Sequence, residues 1–134
     1  WTQLSLAERC KAIERFLVEL SKKREEIVHA LMWEIGKNLP DAQAEFDRTV
    51  QFCEQLIHTI KNDAEFVGGW TTMGSTTAWV RRAAIGIILC LGPYNYPLNE
   101  TYATLIPALL MGNIVILKIP TVGGLVHWWT IEAF

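Results

Sequence analysis

The sequence has no surplus of basic residues and no cluster of them. Its 134 residues include 12 Lys and Arg against 14 Asp and Glu, which gives a formal net charge of −2. Proteins that bind nucleic acid or anionic membranes through charge usually carry a basic patch or stripe. We therefore expect neither nucleic acid nor a membrane among the partners of this chain.

Long uninterrupted apolar stretches are also missing. The longest apolar region, residues 102–117, is broken by Pro107 and by Gly112-Asn113. A membrane-spanning helix needs about 20 consecutive, mostly apolar residues. The sequence therefore predicts no membrane span.

Cysteine is scarce, and its three copies lie far apart. Cys10, Cys53 and Cys90 are odd in number and are set among apolar residues. This pattern argues against a disulfide framework and against a metal site, and it fits a reducing compartment. We predict no bound metal and a cytoplasmic location.

Apolar residues, in contrast, are abundant, and in the second half of the chain they form two runs of strand length. Hydrophobic residues make up 51% of the sequence and charged residues only 19%. Residues 85–91 form a continuous apolar run of strand length, which Gly92-Pro93 stops. Residues 98–111 have the length of a helix that ends at Gly112-Asn113, and residues 114–117 form a second apolar strand.

Strand, helix and strand in this order, within about 35 residues, predict a βαβ unit with parallel strands. Because both strands are apolar on both faces, we expect helices on each side of the sheet. Ligands of such sheets bind beyond the carboxyl ends of the strands. Asn95 follows the first strand, and Lys118 and Thr121 follow the second, so these polar residues mark a ligand site.

Helices are predicted before this unit and after it. Ser5 and Glu8 form a capping box, and apolar residues at helical spacing predict helices over residues 6–20, 21–35 and about 38–62. Turn residues follow, with an edge strand at 77–82 outside the parallel sheet. Another helix starts near Gly123, and the sequence stops within it. Since two parallel strands are too few to stand alone, we expect a fragment of a larger α/β protein.

Three motifs in the second half of the chain resemble those of the aldehyde dehydrogenase superfamily. They are G-P-Y-N-Y-P at residues 92–97, P-A-L with G-N at residues 107–113, and K-I-P-T at residues 118–121. The family shows P-[WF]-N-[FY]-P, P-A-L-x-x-G-N and K-x-x-[E/S/T] in the same order and at the same spacing. The resemblance extends more loosely over the rest of the chain.

The resemblance implies a fold and a domain. The chain is expected to be α/β, with N-terminal helices followed by the first βαβ unit of a Rossmann-like parallel sheet. Residues 1–134 would then be the N-terminal part of the cofactor-binding domain, without the catalytic domain. Residues 1–62 would be helical, residues 63–84 a turn and β connection, and residues 85–134 the start of the sheet.

The resemblance also implies roles for the residues at the strand ends. Asn95 matches the asparagine whose amide donates to the aldehyde oxygen as a thiolate attacks the carbonyl. Gly92, Pro93 and Tyr94 belong to the cofactor-binding loop, and Lys118 matches a lysine that contacts the adenosine ribose or its phosphate. The open alternatives are turn chemistry for Asn95 and a solvated strand-end lysine for Lys118.

Thr121 bears on the choice of cofactor. Many NAD-preferring relatives carry Glu at this position, where it accepts hydrogen bonds from both ribose hydroxyls. A neutral hydroxyl can instead donate to a 2′-phosphate. The resemblance therefore favours NADP, with NAD still possible.

Arg48 and Tyr96 resemble a substrate site. Arg48 lies in Glu45-Phe46-Asp47-Arg48-Thr49, which is similar to the E-x-x-R-T of the non-phosphorylating glyceraldehyde-3-phosphate dehydrogenases. In those enzymes this arginine, and the tyrosine matching Tyr96, hold the substrate phosphate. A guanidinium fork suits a phosphate dianion. The alternative is a surface arginine paired with Asp47 or Glu45, beside a core tyrosine.

The implied activity is NADP-dependent oxidation of an aldehyde to a carboxylic acid through a cysteine thiohemiacetal and thioester. Glyceraldehyde 3-phosphate, giving 3-phosphoglycerate, is the favoured substrate, and the full-length enzyme is expected to be a homo-oligomer. The alternatives are a semialdehyde dehydrogenase and a non-catalytic nucleotide-binding or assembly module. No residue matches the family's nucleophilic Cys or general-base Glu, and Cys90 lies within a buried strand. The 134 residues alone are therefore expected to be inactive.

Overall fold

The computed structural model describes residues 1–62 and 68–134 of the chain. Within them the chain forms five helices and two two-stranded sheets, so the predicted α/β class is confirmed. The elements are, in order, α1 (Leu6–Lys22), α2 (Arg24–Ile35), α3 (Leu39–Asn62), β1 (Gly69–Met73), β2 (Thr76–Val80), β3 (Ile87–Leu91), α4 (Asn99–Leu110), β4 (Ile114–Lys118) and α5 (Val126–Ala133).

The three N-terminal helices begin and end on local signals. The Ser5 hydroxyl accepts from the Glu8 amide at 3.3 Å and Glu8 accepts from the Ser5 amide at 2.7 Å, so the predicted capping box is present. Gly36 ends α2 in the left-handed conformation, with φ 72°. The Asn38 side chain accepts from the Asp41 amide at 2.9 Å at the start of α3.

The boundary between α1 and α2 was predicted too early. The Lys23 amide donates to the Leu20 carbonyl at 2.9 Å, so α1 continues to Lys22 and α2 begins only at Arg24. A 3₁₀-type bond of this kind commonly closes the last turn of a helix. It delays the second helix by three residues relative to the prediction.

The core lies among the helices. α1, α3 and α4 contact one another, and α5 packs against α1 and α2. The ring of Phe16 stacks on Tyr102 with centroids 5.7 Å apart. Fully buried side chains from all of these helices contribute to the cluster: Ile13, Leu20, Ile27, Leu31, Ile60, Tyr102, Ile106, Leu110 and Val126.

The predicted βαβ unit is confirmed. β3 and β4 are parallel and in register from Ile87 opposite Ile114 to Leu91 opposite Lys118. α4 crosses between them and packs against both strands. One face of the pair is turned towards the helices: Cys90 is buried there, and Ile88, Val115 and Leu117 are half-buried.

The other face of this pair is not covered by a helix in the described part of the chain. Its apolar side chains are exposed, and they are Ile87, Leu89, Leu91, Ile114 and Ile116. The prediction of helices on both sides is therefore not met within residues 1–62 and 68–134. The physical reason is that α5 returns to the helical layer and does not cross this face.

A separate β-hairpin lies outside the parallel sheet. β1 and β2 are antiparallel around Gly74-Ser75, and the rings of Trp70 and Trp79 meet edge to face at 5.5 Å. This confirms an edge strand outside the parallel sheet, although it spans Thr76–Val80 and not residues 77–82. Residues 63–67 of the predicted connection lie outside the described residues. No helix among the described residues is both long and apolar enough to cross a membrane.

The C-terminal end of α4 is closed by residues from the start of the chain. The Arg9 Nε donates to the Leu110 carbonyl at 2.8 Å, and the Trp1 indole donates to the Leu109 carbonyl at 2.8 Å. A cation is favourable at this end of a helix, where unpaired carbonyl groups concentrate negative charge. α1 therefore fixes the position from which the chain enters β4.

Candidate functional site

The candidate site is formed by the segments that follow the two parallel strands. We call residues 92–98 the β3 loop and residues 119–125 the β4 loop. The Gly92 amide donates to the Lys118 carbonyl at 2.9 Å and extends the strand pairing into the loops. A Cβ atom on Gly92 would lie 2.5 Å from the Thr101 hydroxyl and 3.0 Å from the Pro120 ring. Only glycine allows this approach.

The two loops also pack on each other further out. Gly123 has φ +90°, and a Cβ atom there would lie 2.9 Å from the Pro97 Cβ and 3.1 Å from the Tyr94 carbonyl oxygen. The turn that carries Asn95 therefore rests on the β4 loop. The two strand ends form one edge, as the sequence predicts for a parallel pair.

The residues predicted to bind cofactor and substrate lie at this edge or close to it. Tyr94, Asn95 and Tyr96 are exposed on the β3 loop. Lys118 at the end of β4 and Thr121 on the β4 loop are exposed as well. Their roles remain predictions.

The side-chain amide of Asn95 makes no hydrogen bond to any residue that the structure describes. An asparagine that stabilises a turn usually bonds to the backbone about two residues further on. Asn95 lacks that bond, and its amide is free to donate to a ligand.

A buried carboxylate from α3 holds the β3 loop. Leu98, the first residue before α4, provides no side-chain cap. The Oε1 of Glu45 accepts from the amides of Leu98 at 3.0 Å and Asn99 at 3.1 Å, and Glu45 is 1% exposed. An anion is favourable at the amino end of a helix. Glu45 therefore replaces the local cap.

Lys37 joins this carboxylate to Tyr96. Its ammonium group is paired with the Oε2 of Glu45. It also lies 3.6 Å from the centroid of the Tyr96 ring, within the range of a cation–π contact. The Tyr96 ring is thus positioned from the helical layer, and it is 38% exposed, so it is not a core tyrosine.

Sequence reasoning missed Glu45. The E-x-x-R-T comparison singled out Arg48, although Glu45 opens the same motif. The available signal was its position three residues after Ala42 and four before Thr49, on the buried face of α3. A charged residue on such a face needs partners when it is buried, and that requirement could have marked it.

Arg48 is exposed one turn further along α3. The partners considered for it are occupied, since Asp47 accepts from Arg24 at 2.9 and 2.8 Å and Glu45 pairs with Lys37. The Arg24 guanidinium lowers the pKa of Asp47 below its ordinary value. No ion pair of Arg48 occurs among the residues described here. Its guanidinium is therefore available to an anionic ligand.

A second carboxylate holds the β4 loop. The side chain of Glu34, on α2, accepts from the amides of Gly124 at 3.2 Å and Leu125 at 2.7 Å, just before α5. The amino ends of α4 and α5 are therefore both occupied by protein carboxylates. In many nucleotide-binding folds such ends hold the phosphates, whereas here each end already binds a carboxylate through two amides.

A buried histidine lies beneath the two loops. His127 is 1% exposed, neither ring nitrogen has a hydrogen bond of good geometry in the described structure, and its ring stacks on Tyr102 at 6.1 Å. Burial lowers the pKa of His127 to about 4, although the Pro97 carbonyl and Glu34 oppose this change. His127 is therefore neutral at physiological pH.

The cysteines have no features of a nucleophile. Cys10, Cys53 and Cys90 are buried and unpaired. Burial raises the pKa of Cys53 to about 12 and also raises the pKa of Cys10. A reactive thiol needs a lowered pKa and access to its substrate. No group of His, Cys, Asp and Glu that could hold a metal is found in residues 1–62 and 68–134.

Comparison with known proteins decides the family. The sequence model of the aldehyde dehydrogenase family matches residues 1–134. This chain belongs to the aldehyde dehydrogenase family. The fold agrees, because the family's Rossmann-like start, an N-terminal helical layer followed by a βαβ unit, is present.

Three relatives illustrate the similarity. The chain is 31% identical over 138 residues to an NADP-dependent glyceraldehyde-3-phosphate dehydrogenase of Streptococcus equinus, covering 100% of this chain and 29% of that protein. It is 33% identical over 119 residues to an N-succinylglutamate 5-semialdehyde dehydrogenase of Chromobacterium violaceum, covering 88% and 24%. The NADP-dependent glyceraldehyde-3-phosphate dehydrogenase of Bacillus halodurans, solved with NADP, superposes with a TM-score of 0.89 at 27% identity, covering 99% of this chain and 29% of that one.

Proposed function

We propose that this aldehyde dehydrogenase chain is the N-terminal part of the cofactor-binding domain of an NADP-dependent enzyme that oxidises an aldehyde to a carboxylic acid. Its favoured substrate is glyceraldehyde 3-phosphate, which gives 3-phosphoglycerate. The observation that carries the proposal is the unengaged amide of Asn95, exposed at the joined ends of the two parallel strands.

In this proposal Asn95 stabilises negative charge on the substrate oxygen. As a cysteine thiolate from the catalytic domain attacks the aldehyde carbon, the oxygen gains charge, and the Asn95 amide donates a hydrogen bond to it. An amide is suitable because it donates without titrating. The family's nucleophile has no counterpart here, since the three cysteines are buried. The 134 residues alone should not form NADPH from NADP and an aldehyde, which cofactor fluorescence would test.

The strand-end edge suits the adenosine end of a nicotinamide dinucleotide. Lys118 and Thr121 are exposed there and present an ammonium group and a hydroxyl group. Both groups can donate a hydrogen bond to a ribose phosphate, and neither is a carboxylate that would repel it. When bound, the cofactor supplies the nicotinamide that accepts the hydride. Since the amino ends of α4 and α5 are filled by Glu45 and Glu34, the pyrophosphate is held by other groups.

Arg48 and Tyr96 would bind the phosphate of the substrate. The guanidinium of Arg48 has no ion pair with the described residues, and the ring of Tyr96 is held by Lys37. A second candidate substrate is a semialdehyde, since a relative of comparable identity acts on one. Its distal carboxylate could occupy the same guanidinium fork. A non-catalytic binding module is the remaining alternative, and the activity of the full-length protein decides it.

The test of the proposal is Asn95→Ala in the full-length enzyme. The rate constant for hydride transfer in a single turnover should fall by roughly 10²–10³-fold, while NADP affinity changes little. Asn62→Ala is the matched control, because the Asn62 side chain is exposed and donates to the His58 carbonyl at the end of α3, away from the strand ends. A variant with a lower melting temperature but an intact transfer rate would show that Asn95 is a turn residue.

A further inference from the structure

Glu45 is the most deeply buried charged residue in contact with the loop that carries Asn95. It is 1% exposed, and both of its oxygens are engaged. One oxygen accepts the amides of Leu98 and Asn99, and the other pairs with Lys37 under the Tyr96 ring. Burying a carboxylate costs free energy that only such complete pairing offsets. Three separate contacts thus converge on the β3 loop and on the first residue of α4.

We propose that Glu45 is a positioning residue that sets the direction of the Asn95 amide through the backbone of the β3 loop. The inference rests on the proposed oxyanion role of Asn95. Glu45 fixes the chain three and four residues after Asn95. On the other side of Asn95, Gly123 packs closely against the carbonyl oxygen of Tyr94, the residue that precedes Asn95. With both sides held, Asn95 needs no hydrogen bond of its own to keep its place.

Glu45 acts on the geometry of the β3 loop and not on the charge at the reacting atoms. Glu45 is buried between α3 and α4, so its carboxylate does not reach a substrate on the exposed side of the loop. A displacement of about 1 Å in a catalytic group can cost about 10²-fold in rate. Releasing two amides at the start of α4 is sufficient to allow such a displacement.

The decisive comparison uses two double variants of the full-length enzyme. In K37M/E45Q the side-chain oxygen that accepts the Leu98 and Asn99 amides is retained. In K37M/E45M that acceptor is lost, at similar side-chain volume. Both lack the ion pair and the cation beneath Tyr96, so the two variants differ in the side-chain amide of residue 45, whose oxygen is the acceptor and whose nitrogen takes the place of Oε2. We expect single-turnover hydride transfer to be about 10²-fold slower in K37M/E45M than in K37M/E45Q, with similar NADP affinity.

The same pair is then made in the Asn95→Ala background. If Glu45 acts through Asn95, the ratio between the two transfer rates falls to about one, because effects on a shared pathway are not additive. Glu34→Met provides a matched comparison, since it removes a carboxylate that holds two amides of the β4 loop in the same way. Its effect should fall on NADP affinity.

Each other outcome overturns the inference in a recognisable way. Equal transfer rates in the two double variants, with Asn95→Ala still slow, would remove the positioning role and leave the oxyanion role standing. A ratio that persists without Asn95 would show that Glu45 acts by another route. An intact rate in Asn95→Ala would remove the oxyanion role and the inference together. An equal slowing by Glu34→Met would show that loss of any carboxylate cap slows transfer.

If K37M/E45M does not fold, Glu45→Asp takes its place. The aspartate keeps the charge for Lys37 but withdraws the acceptor by one methylene group. It should slow transfer by about tenfold, and this slowing should also vanish without Asn95. A folded Glu45→Asp enzyme with a normal transfer rate would overturn the inference.

Discussion

The side-chain oxygen of Asn113 accepts a hydrogen bond of 2.7 Å from the backbone amide of Ile85, 28 residues earlier in the chain. The same oxygen accepts from Gly86 at 3.0 Å, and the side-chain nitrogen donates to the Ala108 carbonyl at 2.9 Å. Asn113 is 3% exposed. One side chain therefore links the approach to β3 with the end of α4.

Replacing Asn113 by Ala should lower the free energy of unfolding by about 1–3 kcal/mol, because it leaves partly buried amides without partners. Urea unfolding followed by tryptophan fluorescence measures the change. Asn62→Ala, which alters an exposed bond at the end of α3, should change stability by no more than about 0.5 kcal/mol. Equal effects of the two substitutions would mean that the Asn113 link contributes nothing specific.

The pH dependence of stability should report His127. Its pKa is about 4 in the folded protein and 6.5 in a free side chain, so the unfolded chain binds more protons between these values. The contribution of His127 to the free energy of unfolding should be fully present above about pH 6.5. It should fall as the pH drops towards 4 and level off below that value. The loss is on the order of 3 kcal/mol.

His127→Phe should remove this part of the acid sensitivity, since a phenyl ring can keep the stacking on Tyr102 without titrating. Unfolding free energies at several pH values between 4 and 7 provide the measurement. His29→Phe is the control, because His29 is exposed on α2. If the free energy of unfolding of His127→Phe depends on pH as strongly as before, the acid sensitivity comes from other groups.

Cofactor preference in the full-length enzyme should respond to Thr121. Changing Thr121 to Glu places a carboxylate near the proposed 2′-phosphate, at a cost of about 1–4 kcal/mol at a surface-like dielectric. The KM for NADP should rise far more than that for NAD. Thr71→Glu adds the same charge on the exposed β-hairpin and should leave the ratio of the two KM values unchanged. If the NADP/NAD preference of Thr121→Glu does not move, Thr121 is not at the ribose.

Arg48 should discriminate between phosphorylated and unphosphorylated aldehydes. Arg48→Ala removes a charge-assisted contact worth about 1.5–3 kcal/mol, so kcat/KM for glyceraldehyde 3-phosphate should fall by roughly 10–100-fold. The value for unphosphorylated glyceraldehyde should stay the same. Arg15→Ala, which removes an exposed arginine of α1, serves as the control. An equal loss with both aldehydes would separate Arg48 from phosphate binding.

The βαβ unit could be predicted from sequence because its signals are local. Continuous apolar runs, stopped by Gly92-Pro93 and Gly112-Asn113, define the strands and the helix between them. The start of β3 was placed two residues early, at Ile85 and not at Ile87. The reason is that the amides of Ile85 and Gly86 bond to the Asn113 side chain, which no local pattern reveals.

The caps of α4 and α5 could not be predicted for a related reason. Leu98 and Leu125 precede these helices and cannot cap them, so local rules find no start signal there. The carboxylates that take this role come from residues 53 and 90 positions away at their nearest contacts. Only the packing of the helical layer brings Glu45 and Glu34 to the strand ends. The positions of Asn95, Lys118 and Thr121 were predictable, whereas the groups that hold their loops were not.

The two ends of α4 meet opposite charges from residues that precede it in the chain. Glu45 lies at its amino end and Arg9 at its carboxyl end. A helix laid in the reverse direction would bring its carbonyl groups to Glu45 and its amide groups to Arg9, and both contacts would be repulsive. The helical layer therefore presents charges that match the dipole of α4. It favours the observed direction of the crossover over the reversed one.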